Sequence, residues 1–207
     1  MMKQKSETRD LIKGFCSYVE RQFEKKIKTI RSDNGAEFMM TDYFKEKGIV
    51  HETSCIETPQ QNGRVERKHQ HILSVARALK MEANLPTSFW ADCVLHVVYL
   101  INRIPSPLLS HKSPYSIFFK SNPDLTPLKV FGCLCFASTN EANRGKLDNR
   151  ARKSIFLGFC AGKKGYKLYD LNTKEYFVSR DVFFYEDKFP FPTETVTPFL
   201  AHQLRLF

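Results

Sequence analysis

The sequence predicts an α/β unit followed by a small all-β barrel, on three observations. Apolar residues recur at helical spacing through the first half, interrupted by two short β-branched runs; past residue 127 short aromatic and β-branched runs take over; and proline-rich stretches at 104–107 and 122–127 separate the two patterns. The boundary falls at about residue 125. With 207 residues, 42% apolar and 26% charged, the composition is that of a packed globule and not of a disordered tail.

Leu11, Phe15, Val19 and Phe23 recur every four residues among Lys, Arg and Glu, which predicts an amphipathic helix over 6–25. Residues 27–32 read as a short strand, stopped at Asp33-Asn34-Gly35, a turn in which Gly35 can take positive φ. A short helix at 41–47 and a second strand at 49–55 complete a helix, strand, helix, strand order. Val65, Ile72, Leu73, Ala76, Leu79 and Ala83 form the stripe of a helix over 60–83, ended by Leu85-Pro86. A further helix, capped at Thr87 or Ser88 and running to about Arg103, is expected to bury Phe89, Trp90, Cys93, Val94, Val97, Val98 and Ile101. Ser113-Pro114 opens a short helix carrying Ile117, Phe118 and Phe119.

Beyond 127, the runs 130–137, 154–160, 166–170 and 176–185 predict four or five strands. The barrel interior is expected to draw on Val130, Leu134, Phe136, Ile155, Leu157, Phe159, Leu168, Phe177, Val182 and Phe184. Residues after 191 show no periodicity and are expected to form a mobile end.

The longest apolar stretch, 90–104, is broken by Asp92, His96 and Asn102, so no membrane span is expected. Met1-Met2-Lys3-Gln4-Lys5 has no apolar core behind it, so a secretory signal is not expected either and the protein is expected not to be secreted. The six cysteines are then expected to stay reduced. None makes a C-x-x-C pair, so no zinc or redox motif is read from them; Cys133-x-Cys135 puts two thiols on one strand face, where packing is expected.

Net charge is +10, and it is concentrated. Residues 144–180 hold ten basic side chains, among them Arg150, Arg152, Lys153, Lys163 and Lys164, against Asp148, Asp170 and Glu175, a net +7. Such a stretch suits a polyanion, nucleic acid first, although a solvated basic face has the same composition.

Two carboxylates invite a chemical reading. Asp33 stands at a strand tip and Glu66 in the first turns of a helix, and oxygen ligands of this kind suit Mg²⁺ or Mn²⁺ in phosphodiester chemistry. An Asp beside Gly is also an ordinary turn former, and a Glu near a helix start also serves the helix dipole.

Specific words decide between these readings. Ile30-Arg31-Ser32-Asp33-Asn34-Gly35-Ala36-Glu37-Phe38, Lys47-Gly48-Ile49-Val50-His51 and Thr58-Pro59-Gln60-Gln61-Asn62-Gly63-Arg64-Val65-Glu66-Arg67-Lys68-His69 resemble the integrase core of Ty1/copia-type LTR retrotransposons. Leu85-Pro86-x-x-Phe89-Trp90-Ala91, Tyr99-Leu100-Ile101-Asn102-Arg103, Ser113-Pro114-Tyr115, Val130-Phe131-Gly132-Cys133 and Ser154-Ile155-Phe156-Leu157-Gly158-Phe159 resemble the segment that follows it, including its SH3-like domain. The resemblance covers nearly all of 5–187.

It implies an α/β partial RNase H-like (retroviral integrase) core followed by a small all-β SH3-like barrel. The implied divisions are 1–85 for the C-terminal part of the core, 86–126 for a helical connecting segment, 127–188 for the SH3-like domain and 189–207 for a mobile tail. In the family, Asp, Asp and Glu hold two Mg²⁺ ions for 3′-end processing and strand transfer; Asp33 matches the second Asp and Glu66 the Glu. Asn34, a candidate for nucleic-acid contact, matches the turn after that Asp. Gln60, Gln61 and Asn62 match the loop, and Arg64, Arg67 and Lys68 the helix, that face DNA in the family, although an ordinary solvated helix face would carry the same cations. Arg150, Arg152, Lys153, Lys163 and Lys164 are the barrel's candidate phosphate contacts. The partners implied are element ends and target DNA, with assembly into a homo-oligomer.

Two departures follow. The family's first Asp and its His/Cys zinc module have no match here, so no zinc site is expected in this chain and catalysis by it alone is expected to fail. Thirty-two residues lie between Asp33 and Glu66, three fewer than the family's usual spacing. The expected function is that of a retrotransposon integrase fragment; the alternatives are a nucleic-acid-binding module acting through the basic barrel, and a non-catalytic domesticated scaffold.

Overall fold

The structure, a computed structural model, describes residues 2, 4–55, 63–138 and 150–192. The first helix, α1 (Thr8–Phe23), presents Ile12 and Cys16 to a small core of Met40, Phe44 and Ile49. Leu11 and Phe15, expected on the buried stripe, are 53% and 59% exposed. The apolar band is wider than one face can bury, and the helix turns its Ile12–Cys16 side inward. Strand β1 (Thr29–Ser32) follows, then α2 (Thr41–Lys47), and β2 (Val50–Thr53) pairs with β1 in parallel, Thr29 opposite Val50 and Ser32 opposite Thr53. Gly48 ends α2 at φ +64, a left-handed conformation that lets the chain turn at once into buried Ile49.

Helix α3 spans Gly63–Glu82, and the chain divides inside it, between Gln70 and His71, into two units. The second unit therefore takes in residues 86–126 together with the strands that follow. The reason is packing: Ala76 and Ala83 of α3, Phe89, and Cys93 and Val97 of α4 (Trp90–Ile101) share one core with Phe131, Ile155 and Leu157. The prolines end helices without separating what the helices pack on.

Helix α4 does not bury the whole predicted set. Trp90 is 51% exposed and Val98 38%, whereas Asp92 and His96 are buried. The face turned toward the sheet is that of residues 89, 92, 93, 96 and 97, polar members included. The short helix α5 (Pro114–Phe119) is capped by Ser113, whose Oγ accepts from Ser116 N at 3.0 Å.

The second unit contains five antiparallel strands: β3 (Leu134–Ser138), β4 (Ala151–Phe159), β5 (Tyr166–Asp170), β6 (Tyr176–Ser179) and β7 (Val182–Tyr185), in the order β6-β5-β4-β3-β7. The run 176–185 is therefore two strands. They lie at opposite edges of the sheet yet are joined by Arg180 and Asp181 alone. Only a sheet rolled until its edges approach permits that connection.

The interior differs from expectation in phase. Cys133, Cys135 and Ala137 point inward with Phe156 and Leu168, while Leu134 and Phe136 are half-buried and Val130 is 40% exposed. Ile155 and Leu157 face the opposite way, onto α3 and α4. Strand β4 is thus buried on both faces, and a strand with no polar face gives no alternation by which its inward side can be read. Its pairing with β5 shifts register between Phe156 and Phe159, where Gly158 sits at φ +97. Phe189 and Phe191 pack on the helix-facing core, so ordered packing continues past 188; the rest of the expected mobile end, 193–207, lies outside the described residues.

Cys93, Cys133 and Cys135 are buried thiols. Burial pushes the Cys133 and Cys135 thiols up to about 12, which keeps them protonated and inert, the packing role expected of them. Among the described residues no helix is long and apolar enough to cross a membrane.

Candidate metal and nucleic-acid site

The turn after β1 is tied to β2 by polar bonds. Ser32 is buried, and its Oγ donates to the Asp33 carbonyl at 2.7 Å and meets His51 Nε2 at 2.9 Å; the His51 ring rests on Phe44, centroids 4.8 Å apart. Asn34 Nδ2 donates to the Ser54 carbonyl at 2.8 Å, and Ser54 N donates to the Ser32 carbonyl at 3.2 Å. The Asn34 amide nitrogen thus pins the turn, a role that its candidacy for DNA contact did not include. Gly35 N donates to Asp33 Oδ1 at 3.0 Å. Gly35 itself is at φ −61, not positive. A Cβ there would stand 2.8 Å from Glu37 Oε2, the end of a flexible side chain, and 3.0 Å from Asp33 Oδ1.

Asp33 is exposed, and among the described residues no cation lies within ion-pair distance of it. The nearest cation in sequence, Arg31, is committed across the strand pair to Glu52, with Nε 2.9 Å from Oε2. Glu66 lies in the first turn of α3 and is exposed, as are Arg64, Arg67 and Lys68. Arg67 folds back toward the helix start, its Nη1 3.3 Å from where a Cβ on Gly63 would sit. Gln60, Gln61 and Asn62 lie outside the described residues. Among the described residues no group of three or more His, Cys, Asp or Glu is arranged to hold a metal ion.

On the barrel the five candidate cations separate. Arg150, Lys153, Lys163 and Lys164 are exposed, and no carboxylate among the described residues lies within ion-pair distance of them. Arg152 is half-buried instead: its Nε is 3.7 Å from Asp170 Oδ2, and its guanidinium lies 5.1 Å from the Phe177 ring centre. Alternation along β4 explains the contrast, because Arg152 and Lys153 point to opposite sides. Lys167 is likewise taken, bonded to buried Asp92, which also accepts from the Tyr176 hydroxyl at 3.1 Å. The phase of α4 hid Asp92 and His96 from sequence reading. Their signal was present nonetheless, as polar residues at the spacing of Phe89, Cys93 and Val97.

A rolled five-stranded sheet with a cation-bearing surface is the form of an SH3-like module, and residues 133–197 match the family described as the retroviral polymerase SH3-like domain. Over most of its length the chain is similar to retrovirus-related Pol polyproteins from plant transposons. It is 39% identical over 197 residues to the retrovirus-related Pol polyprotein from transposon RE1 of Arabidopsis thaliana, covering 95% of this chain and 13% of that polyprotein. Identity to the corresponding polyprotein from transposon TNT 1-94 of Nicotiana tabacum is 37% over 191 residues, 91% of this chain and 14% of the other. The chain thus spans between 13% and 14% of the length of these relatives. A chain of the simian T-cell lymphotropic virus intasome in complex with PP2A regulatory subunit B56 gamma superposes with a TM-score of 0.44 at 15% identity, over 87% of this chain and 63% of that one, too loosely to bear on function.

Proposed function

We propose that the chain is an integrase segment of a copia-type Pol polyprotein, serving DNA integration: its first unit offers carboxylates to a divalent cation and its barrel holds DNA through phosphates. The observation that carries this reading is the state of Asp33, an exposed carboxylate on a turn fixed by Ser32, His51, Asn34 and Ser54, with Arg31 turned away to Glu52. A turn former needs one carboxylate oxygen, and Gly35 N uses one; the second has no partner among the described residues.

The donor set fits a hard cation, being two exposed carboxylates with oxygen ligands only. Asp33 and Glu66 would hold Mg²⁺ or Mn²⁺, which supplies the charge that activates a hydroxyl and stabilises a leaving oxygen in phosphodiester chemistry. With no third ligand grouped among the described residues, this pair supports capture of one cation, and strand transfer by the chain alone is expected to fall below detection.

Manganese titration followed by electron paramagnetic resonance tests the reading. Weak binding that disappears in both Asp33→Asn and Glu66→Gln supports it; binding that survives in either places the ion elsewhere. The nucleic-acid part stands on the exposed cations Arg150, Lys153, Lys163 and Lys164. Affinity for a duplex that falls steeply with salt supports phosphate contact, and affinity flat from low to physiological salt rejects it.

A further inference from the structure

The residues between α4 and the barrel enter neither part of the site above, and their charge is one-sided. From Asp92 to Asp124 the chain has no acidic residue. Its cations there are Arg103, Lys112 and Lys120, and Arg103 is committed: its guanidinium lies 3.4 Å from the Tyr99 ring centre and Nη1 donates to the Tyr99 carbonyl at 3.2 Å. Lys112 and Lys120 are exposed, and among the described residues neither has a carboxylate within ion-pair distance. Both line a single hollow of about 780 Å³, together with the hydroxyls of Ser110 and Ser121 and the apolar side chains of Leu109 and Ile117.

The walls of this hollow are braced. Ser106 N donates to the Lys112 carbonyl at 3.1 Å and His111 N to the Ser106 carbonyl at 3.0 Å, closing the 106–112 loop. Ser113 and Ser116 exchange bonds at 3.0 and 3.1 Å on the other wall. The space is far larger than a lone anion needs. Two point charges, small donors and an apolar wall in one hollow match a stretch of polymer carrying regularly spaced phosphates with sugars between them.

We propose that this hollow is a second nucleic-acid contact, outside the SH3-like domain, in which Lys112 and Lys120 each neutralise a backbone phosphate while sugars lie against Leu109 and Ile117. The inference rests on the reading of the chain as DNA-binding. Lysine there is a point charge and hydroxyls read no base, so the contact adds affinity and not sequence preference.

The test is a salt series of fluorescence anisotropy with a labelled 20-base-pair duplex and the full chain. Each phosphate neutralised releases its counterions and contributes about 0.9 to the slope of log affinity on log salt, so Lys112→Gln/Lys120→Gln should lower the slope by about 1.8. Between 50 and 200 mM salt the double variant should then lose roughly tenfold less affinity than the parent. Lys26→Gln/Lys47→Gln, which removes two lysines already paired with Glu20 and Glu46, should leave the slope near the parent's. A slope unchanged in the first variant, or lowered equally in both, overturns the inference while the DNA-binding reading stands. No duplex binding by the parent at any salt overturns both. Saturable binding of inorganic phosphate, lost in the double variant with the duplex slope unmoved, makes the hollow a free-anion pocket and overturns the polymer assignment.

Discussion

Asp92 on α4 and Lys167 on β5 form a buried ion pair that fastens the helix to the barrel, with the Asp92 side chain 6% and the Lys167 side chain 23% exposed. The Tyr176 hydroxyl adds a second bond to the same carboxylate at 3.1 Å; burial and the neighbouring Asp92 charge push this phenol up to about 12, so it remains a donor at any ordinary pH. Breaking such a pair leaves one desolvated charge behind. Lys167→Met is expected to cost about 3 kcal/mol and Tyr176→Phe about 1 kcal/mol, read as midpoint shifts in urea unfolding. Equal small losses in both would mean that the contact is solvated.

His96 sits one helical turn from Asp92 and has a different fate. Its ring stacks on Phe131, centroids 4.7 Å apart, it is 3% exposed, and Nδ1 has no partner among the described residues. Burial lowers its pKa to about 4. The unfolded chain, titrating near 6.5, takes up the proton first, so the stability tied to neutral His96 is complete above that pH and is lost as pH falls toward 4. The loss is expected to be roughly 2–3 kcal/mol between pH 7.5 and 4.5. His96→Phe should remove that portion. If the parent and the variant lose the same stability over this interval, carboxylates elsewhere account for it.

Gly158 is what allows His96 to be there. It adopts φ +97 in the β4 irregularity, and a Cβ on it would stand 2.9 Å from His96 Nδ1. Gly158→Ala therefore meets both a strained backbone and a buried ring, with an expected cost of about 2 kcal/mol or more. Gly162→Ala is the control: φ is +73 but nothing lies within 4 Å of its Cβ position, so only the backbone portion, about 1 kcal/mol, should appear. Matching losses in the two variants would show that the ring yields.

These contacts mark what could be read from the residues and what could not. The helices and strands were legible because their apolar spacing is local: the stripe from Ile72 to Ala83 and the cap at Ser113-Pro114 each specify an element without reference to any other. Which side faces inward was legible only where polar residues mark the other side. It failed on β3, where the inward Cys135 and Ala137 are smaller than the neighbouring Leu134 and Phe136, and on β4, which is covered on both faces. It failed on α4 because Asp92 and His96 are polar yet buried, one by pairing with Lys167 and the other by staying neutral. Asp33 follows β1, at the strand end where the short β-branched run before it predicted it to stand. The bonds that hold its turn, Ser32 to His51 and Asn34 to Ser54, join residues distant in sequence, which no local pattern reveals.

Arg152 carries the sharpest consequence of that limit, because composition groups it with the cations offered to DNA and packing does not. Asp170, buried in β5, accepts from Asn172 N at 2.8 Å and Thr173 N at 3.1 Å through Oδ1, while Arg152 Nε approaches Oδ2 at 3.7 Å. Removing the guanidinium leaves the carboxylate its two backbone donors, so Arg152→Gln is expected to cost about 1 kcal/mol of stability and no more, the arginine being 40% exposed. Its duplex affinity should keep the parent's salt slope. Lys163→Gln/Lys164→Gln should do the reverse, leaving stability within about 0.5 kcal/mol of the parent and lowering the slope by about 1.8 if each lysine meets a phosphate. Thermal melts and the anisotropy series on the same preparations separate the two effects. A lowered salt slope in Arg152→Gln with unchanged stability would return this arginine to the DNA-facing set and would mean that Asp170 is held by its backbone donors alone.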